Sequence, residues 1–170
     1  MANKLYIFCG IPFSGKSTLS KEVARLTGYT RIDLDEVKFE HYGAVIKDAE
    51  LEQKDWDIIY QAMYQRIEAA LKAGKTVIHD TGNFTKYERD LIRHIADGLG
   101  VEAVTVYVDT TRVVAKERHI ANQTTHQRFN VTDNELEDAV AEMEVPNETE
   151  RHIVHKYPTP AEEWINKHFS

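Results

Sequence analysis

The chain has 170 residues, 42% hydrophobic and 29% charged, with a formal net charge of −7. These are the proportions of one ordinary globular domain. No stretch reaches the roughly 20 apolar residues that a bilayer span requires, and the acidic balance argues against a broad nucleic-acid-binding face, which needs a basic stripe. Cys9 is the only cysteine, which excludes an intramolecular disulfide or a cysteine-built zinc site and leads us to expect a reducing, cytoplasmic setting.

In chain order, "KLYIFC" (4–9) predicts a buried strand closed by Gly10. Although apolar, this start runs straight into a glycine-rich motif, so it is read as a strand and not as a cleaved leader. The N-x-T triplets at Asn83, Asn122, Asn130 and Asn147 are accordingly chance matches. Leu19, Val23 and Leu26 predict a helix over 16–26. "YTRID" (29–33) predicts a second strand and "DEVKFEHY" a helix or loop. The longest helix is predicted over 51–71, where Trp56, Ile59, Tyr60, Met63, Ile67, Ala70 and Leu71 recur at three- and four-residue steps before Gly74.

A third strand follows over 75–80, then a helix over 85–97, a strand over 101–109 and a helix over 111–121. The polar stretch 122–131 interrupts the pattern. Thr132 with Glu135 forms a capping box opening another helix, and the closing segment predicts a short strand, a proline-marked turn and a final helix. Strands alternating with helices imply a single α/β domain with a parallel sheet covered on both faces.

The motif that carries chemistry is "GIPFSGKS", residues 10–17. Its spacing, G-x-x-x-x-G-K-S between a predicted strand and a predicted helix, is that of a phosphate-binding P-loop. The backbone of Gly10, Ile11, Pro12, Phe13, Ser14, Gly15, Lys16, Ser17 and Thr18 forms the expected cradle, its N–H groups turned to phosphate oxygens and reinforced by the helix dipole. Lys16 is expected to reach the β- and γ-phosphates of ATP and Ser17 to ligate Mg²⁺. A partner acid belongs at the end of a neighbouring strand, and Asp80, closing "TVIHD", is the candidate for the metal. His79 is expected on the opposite side of that strand.

Asp33 and Asp35 follow the second strand. One carboxylate caps the next helix, and Asp35 is the candidate general base toward an acceptor hydroxyl. Lys38 stands one turn later, positioned for a substrate phosphate or for that carboxylate. Arg118 and Arg128 flank the polar stretch and are candidates to close over ATP from a lid at about 116–131.

With "DLDEVK" at 33–38, "VIHDTGN" at 77–83 and "VYVDTTRVVAKERHIANQ" at 106–123 added to the loop, the chain resembles the small P-loop kinases of the branch containing polynucleotide 5′-kinase, zeta toxins and chloramphenicol phosphotransferase. The resemblance runs from about residue 4 to about residue 145. It implies a three-layer, nucleoside-kinase-like P-loop NTPase with four or five parallel strands and a helical lid. It also implies a phosphotransferase using ATP and Mg²⁺. Polynucleotide kinase has Asp-Asp-x-Arg where this chain has 35–38, which carries the base role onto Asp35. Lys38 replaces the arginine and lacks its bidentate fork, favouring a small hydroxyl-bearing acceptor over a nucleic-acid end. Asn122 stands where that family has a second lid arginine.

Two other readings share the loop. A GTPase requires N-K-x-D, which the sequence lacks, and "DGLG" (97–100) ends a helix instead of leaving a strand. The alternatives to a small-molecule kinase are a polynucleotide 5′-hydroxyl kinase, or an ATPase or nucleotide-binding regulatory module. A monomer is the default expectation.

Overall fold

The computed structural model describes residues 2–127 and 131–169. Twelve regular elements follow one another: β1 (Lys4–Cys9), α1 (Lys16–Thr27), β2 (Thr30–Asp33), α2 (Leu34–Tyr42), α3 (Gln53–Lys72), β3 (Val77–Asp80), α4 (Lys86–Gly98), β4 (Glu102–Asp109), α5 (Arg112–Thr125), α6 (Asp133–Glu142), β5 (His152–Lys156) and α7 (Ala161–His168). A single 3₁₀ turn, Asp48–Glu50, leads into α3. The five strands form one sheet in the order β2-β3-β1-β4-β5, with every neighbouring pair parallel.

Alternation along the strands divides the apolar side chains between two layers. Leu5 and Ile7 of β1, Ile32 of β2 and Val77 of β3 face a core built with Ile59, Met63 and Ile67 of α3 and Ile92 of α4. Tyr6 and Phe8 of β1, Ile78 of β3 and Val104, Val106 and Val108 of β4 face the opposite core, closed by Leu19 and Val23 of α1 and by Trp164 and Ile165 of α7. No helix among the described residues is long and apolar enough to cross a membrane.

The elements agree with those the pattern predicts, with boundary shifts of one to two residues at most ends. The capping box at Thr132 and Glu135 is present, and Thr85 with Glu88 forms another at the start of α4. One difference concerns the lid. The helix expected to stop at 121 continues to Thr125, where His126 caps it in the left-handed conformation with its N–H on the Asn122 carbonyl. Asn122 is itself buried, so tertiary packing extends the helix through a polar run of weak helix propensity. The stretch 116–125 is therefore regular helix.

A buried ionic cluster joins the end of the chain to the sheet. Arg89 of α4 donates through Nε and Nη2 to the two carboxylate oxygens of Glu150, at 3.0 and 2.7 Å. Arg93 and Thr105 also donate to Glu150 Oε2. Burial pushes the Glu150 carboxyl up, and the bonds from Arg89, Arg93 and Thr105 more than reverse this, leaving it below the ordinary 4.5.

Glu150→Ala should lower the unfolding free energy in urea at neutral pH by about 3–5 kcal/mol, because it strands the buried Arg89 charge; a loss under about 1 kcal/mol would contradict that burial. A depressed folded pKa stabilises the fold fully above 4.5 and loses that contribution as pH falls through the lowered value. The wild-type advantage should accordingly shrink in acid.

Candidate active site

The loop from Gly10 to Ser17 is shaped by positions where a side chain cannot stand. Gly10 has φ 156°, and a Cβ there would lie 2.9 Å from Ser14 Oγ and 3.0 Å from the Val108 carbonyl oxygen. Gly15, at φ 95°, starts α1 with no side-chain cap and no acidic residue in the first turn, so the positive end of the helix is left for an anion. Phe13 takes φ 62°, an uncommon conformation for a bulky residue. Its ring accounts for the constraint: it packs with Ala115 of α5 and Leu136 of α6 and meets His119 edge-on at 5.1 Å.

Side chains from the next strand–helix unit brace the loop. Thr110 Oγ1 donates to the Ser14 carbonyl at 2.8 Å, and Arg118 Nη1 donates to the Phe13 carbonyl at 3.0 Å. The Arg118 guanidinium also lies 5.1 Å over the Tyr157 ring. Of the two lid candidates, Arg118 thus reaches the phosphate loop, while Arg128 lies outside the described residues. Ser14 Oγ is buried without a hydrogen-bond partner. Open glycine backbone, an uncapped helix start and an orphaned hydroxyl together fit a bound phosphate chain.

At the floor, Asp80 gathers the polar groups. Lys16 Nζ donates to its Oδ1 at 2.8 Å, and Ser17 Oγ is 3.4 Å from the same oxygen. Ser20 Oγ donates to Oδ2 at 2.5 Å and Arg31 Nη2 at 2.7 Å. Burial pushes the Asp80 carboxyl up, but Lys16 and Arg31 outweigh burial and hold it well below the usual carboxylate range. The pair Ser17 Oγ and Asp80 Oδ1 is a hard-oxygen set suited to Mg²⁺ alongside phosphate oxygens. Among the described residues no group of three or more His, Cys, Asp or Glu could hold a metal on its own. A metal here therefore leans on the nucleotide. Cys9 is buried and its thiol pushed up to about 12 by burial, so it offers no thiolate.

Arg31 and Ser20 complete the polar cluster on Asp80, and no motif in the sequence marks either. Arg31 also donates to Glu36 at 2.8 Å and pairs with Asp33. The available signal is alternation: Arg31 and Asp33 share one face of β2, and Asp33 is the register partner of Asp80 on β3. Burial and the neighbouring Asp80 charge push the Asp33 carboxyl up, against Arg31.

The two acids after β2 have separate jobs. Asp33 caps α2, accepting from the Asp35 N–H at 2.7 Å. The Asp35 side chain is 59% exposed and accepts from Lys38 Nζ at 3.0 Å. Lys38, by contrast, is buried and donates as well to Asp48 at 2.7 Å. Of the two roles foreseen for Lys38, the structure shows contact with the carboxylate.

Asp35 stands on the rim of a cavity of about 450 Å³ between α2, α3, β3 and α4. Trp56, Tyr60, Tyr64 and Phe84 line its sides, and His79 lies at its floor. His79 projects from β3 on the face opposite Asp80, as alternation requires. Asn83 Nδ2 donates to His79 Nδ1 at 3.2 Å, and His79 Nε2 faces the Met63 sulfur at 3.3 Å. Full burial lowers the imidazole pKa to about 3, so this ring is neutral and works as wall.

Comparison with known proteins agrees with this architecture. A sequence profile of the AAA domain family matches residues 5–146. No curated protein shows significant sequence similarity to the chain. Among solved structures, a putative kinase from Chloroflexus aurantiacus J-10-fl is similar with a TM-score of 0.76 at 16% identity, over all of both chains. Kti12 from Chaetomium thermophilum in complex with ADP-AlF3 gives 0.75 at 18% identity, over 97% of each chain. A sugar kinase from Janibacter sp. HTCC2649 gives 0.70 at 19% identity, over 97% of this chain and 91% of the other. At these identities the structures speak for the fold, and the profile spans most of the sequence. The chain belongs to the AAA domain family and has the α/β P-loop NTPase fold, with five parallel strands flanked by helices.

Proposed function

We propose that the protein is an ATP-dependent phosphotransferase that moves the γ-phosphoryl group to a hydroxyl of a small molecule. The observation that carries this reading is the cavity with Asp35 on its rim, opening at the same strand ends that present Lys16, Ser17 and Asp80. A motor or switch needs the phosphate loop but not an adjoining ligand-sized chamber with an exposed carboxylate. The similarity to a structure described as a sugar kinase supports the same reading.

In this mechanism the backbone from Gly10 through Ser17 and Thr18 binds the phosphates, with Ile11 and Pro12 shaping the outer turn. Lys16 turns from Asp80 to the β- and γ-oxygens and follows the negative charge as it shifts to the leaving group. Ser17 and Asp80 would hold Mg²⁺, Asp80 directly or through water; the ion supplies charge neutralisation between the β- and γ-phosphates. Arg31 stays on Asp80 and keeps that carboxylate paired when Lys16 leaves it. Asp35 accepts the proton of the acceptor hydroxyl. Arg118, already beside Gly15, adds positive charge at the loop, and Arg128 is a second candidate from the lid. Lys38 orients Asp35 from below, a substrate-binding role exerted through the carboxylate.

Purified protein with Mg-ATP should transfer phosphate to one member of a panel of sugars, nucleosides, amino alcohols and 5′-hydroxyl oligonucleotides. Asp35→Asn should still bind ATP while transfer falls by about 10²–10⁴-fold, the usual worth of a positioned base. Normal turnover in that variant would refute the base assignment, and hydrolysis indifferent to every acceptor would favour a regulatory ATPase. Lys16→Ala should abolish transfer by a similar or larger factor. Gly10→Ala, which drives a methyl group against Ser14 and the Val108 carbonyl, should weaken binding of a non-hydrolysable ATP analogue about tenfold or more, roughly 1.4 kcal/mol, by calorimetry.

A further inference from the structure

The cavity beside Asp35 is selective by charge as well as by shape. Its apolar faces come from Trp56, Tyr60 and Phe84, and its acidic groups from Asp35, Asp48 and Glu88, while among the described residues no lysine or arginine lines it. The nearest cation, Lys38, is set behind the wall with its side chain 4% exposed, spanning Asp35 Oδ1 and Asp48 Oδ1. Both acids remain largely open, at 59% and 65% side-chain exposure. Glu88 is turned to the backbone N–H and hydroxyl of Thr85 and adds negative charge from the far side.

A phosphate- or carboxylate-bearing acceptor would face these carboxylates, with no cation among the described lining residues to receive it. A protonated amine meets the opposite situation. It gains a charge-assisted hydrogen bond to an exposed carboxylate and lies over aromatic faces that attract cations. Lys38 illustrates the second effect, with its ammonium 5.9 Å from the Trp56 ring centre.

We propose that the acceptor is a ring-bearing hydroxyl compound with a protonated amine, of the amino-sugar or aminocyclitol kind, and that Asp48 selects the amine while Asp35 faces the hydroxyl. This rests on the phosphotransferase reading for its role, but binding is measurable without transfer. Trp56 lies in the cavity wall and reports occupancy by its fluorescence; Trp56→Phe identifies that signal against Trp164, which is buried in the other core.

The test titrates the protein, loaded with Mg²⁺ and a non-hydrolysable ATP analogue, with glucosamine, kanamycin, N-acetylglucosamine and glucuronate. At least one amine should bind about tenfold or more tightly than the neutral and anionic sugars, equivalent to about 1.4 kcal/mol. Asp48→Asn should remove most of that preference and leave N-acetylglucosamine unchanged, whereas a merely structural loss would weaken all four together. Glucuronate binding as tightly as the amines, absence of binding by both amines, or an amine preference that survives in Asp48→Asn would each overturn the proposal. Amine binding with no phosphate transfer once Mg-ATP replaces the analogue would sink the kinase reading and leave this one standing. Transfer to an anionic acceptor would do the reverse.

Discussion

The buried carboxylate of Asp80 is the constraint on which the rest of the site depends. Its side chain is 1% exposed, and an ionised carboxyl taken out of water without partners costs several kcal/mol. Four groups answer that demand: Lys16, Ser17 and Ser20 from the start of α1, and Arg31 from β2. The same bonds therefore set the first turn of α1 against β3 and fix β2 beside it. Lys16 and Ser17 belong to the phosphate loop, so the carboxylate that stabilises the fold also sets the two side chains that would meet phosphate and metal. Arg31 makes the arrangement tolerant of change. Lys16 can leave Asp80 without stranding a bare charge, because the guanidinium remains.

The alternation of β3 turns one strand end into two chambers. Asp80 faces α1 and the phosphate loop, while His79, one residue earlier, faces α3 and the aromatic cavity. β2 and the start of α2 complete the division. Asp33 ties back toward Arg31, and its cap on the Asp35 N–H starts the helix that carries Asp35 to the cavity rim. The phosphate loop and the aromatic cavity thus lie on opposite faces of β3.

Most of this was legible before any coordinates. The loop spacing points to the loop's shape because only glycine tolerates the approach seen at Gly10 and the φ of Gly15. The long periodicity of α3 announces the wall packed against Leu5 and Ile7, and the acid closing the strand at 75–80 points to Asp80. Arg31 was not found, since an arginine in a four-residue strand reads as surface until β2 is known to pair with β3. The burial of Lys38 was equally hidden, because its second partner, Asp48, comes from a 3₁₀ turn that no periodicity announces. The extent of α5 is hidden for a related reason: Asn122, Thr124 and Thr125 are weak helix formers, and the burial of Asn122 carries the helix through them.

The two chambers differ in sign as well as in shape. On the phosphate side the side chains that a nucleotide would meet first are Lys16 and Arg118, backed by the start of α1 and by Arg31. On the acceptor side the exposed charges are the carboxylates of Asp35 and Asp48, with Lys38 drawn in behind them. In a low-dielectric cleft such a separation acts over several ångströms. Under the proposed function, it would favour a polyphosphate on the loop over one in the cavity, where it would face Asp35 and Asp48. It also leaves Asp35 accessible at the boundary, where the proposed reaction would have it meet the acceptor hydroxyl. Lysine at position 38 suits this division. An arginine there, with its planar fork extended toward the rim, would offer anions a second binding point and erase the contrast that separates donor from acceptor.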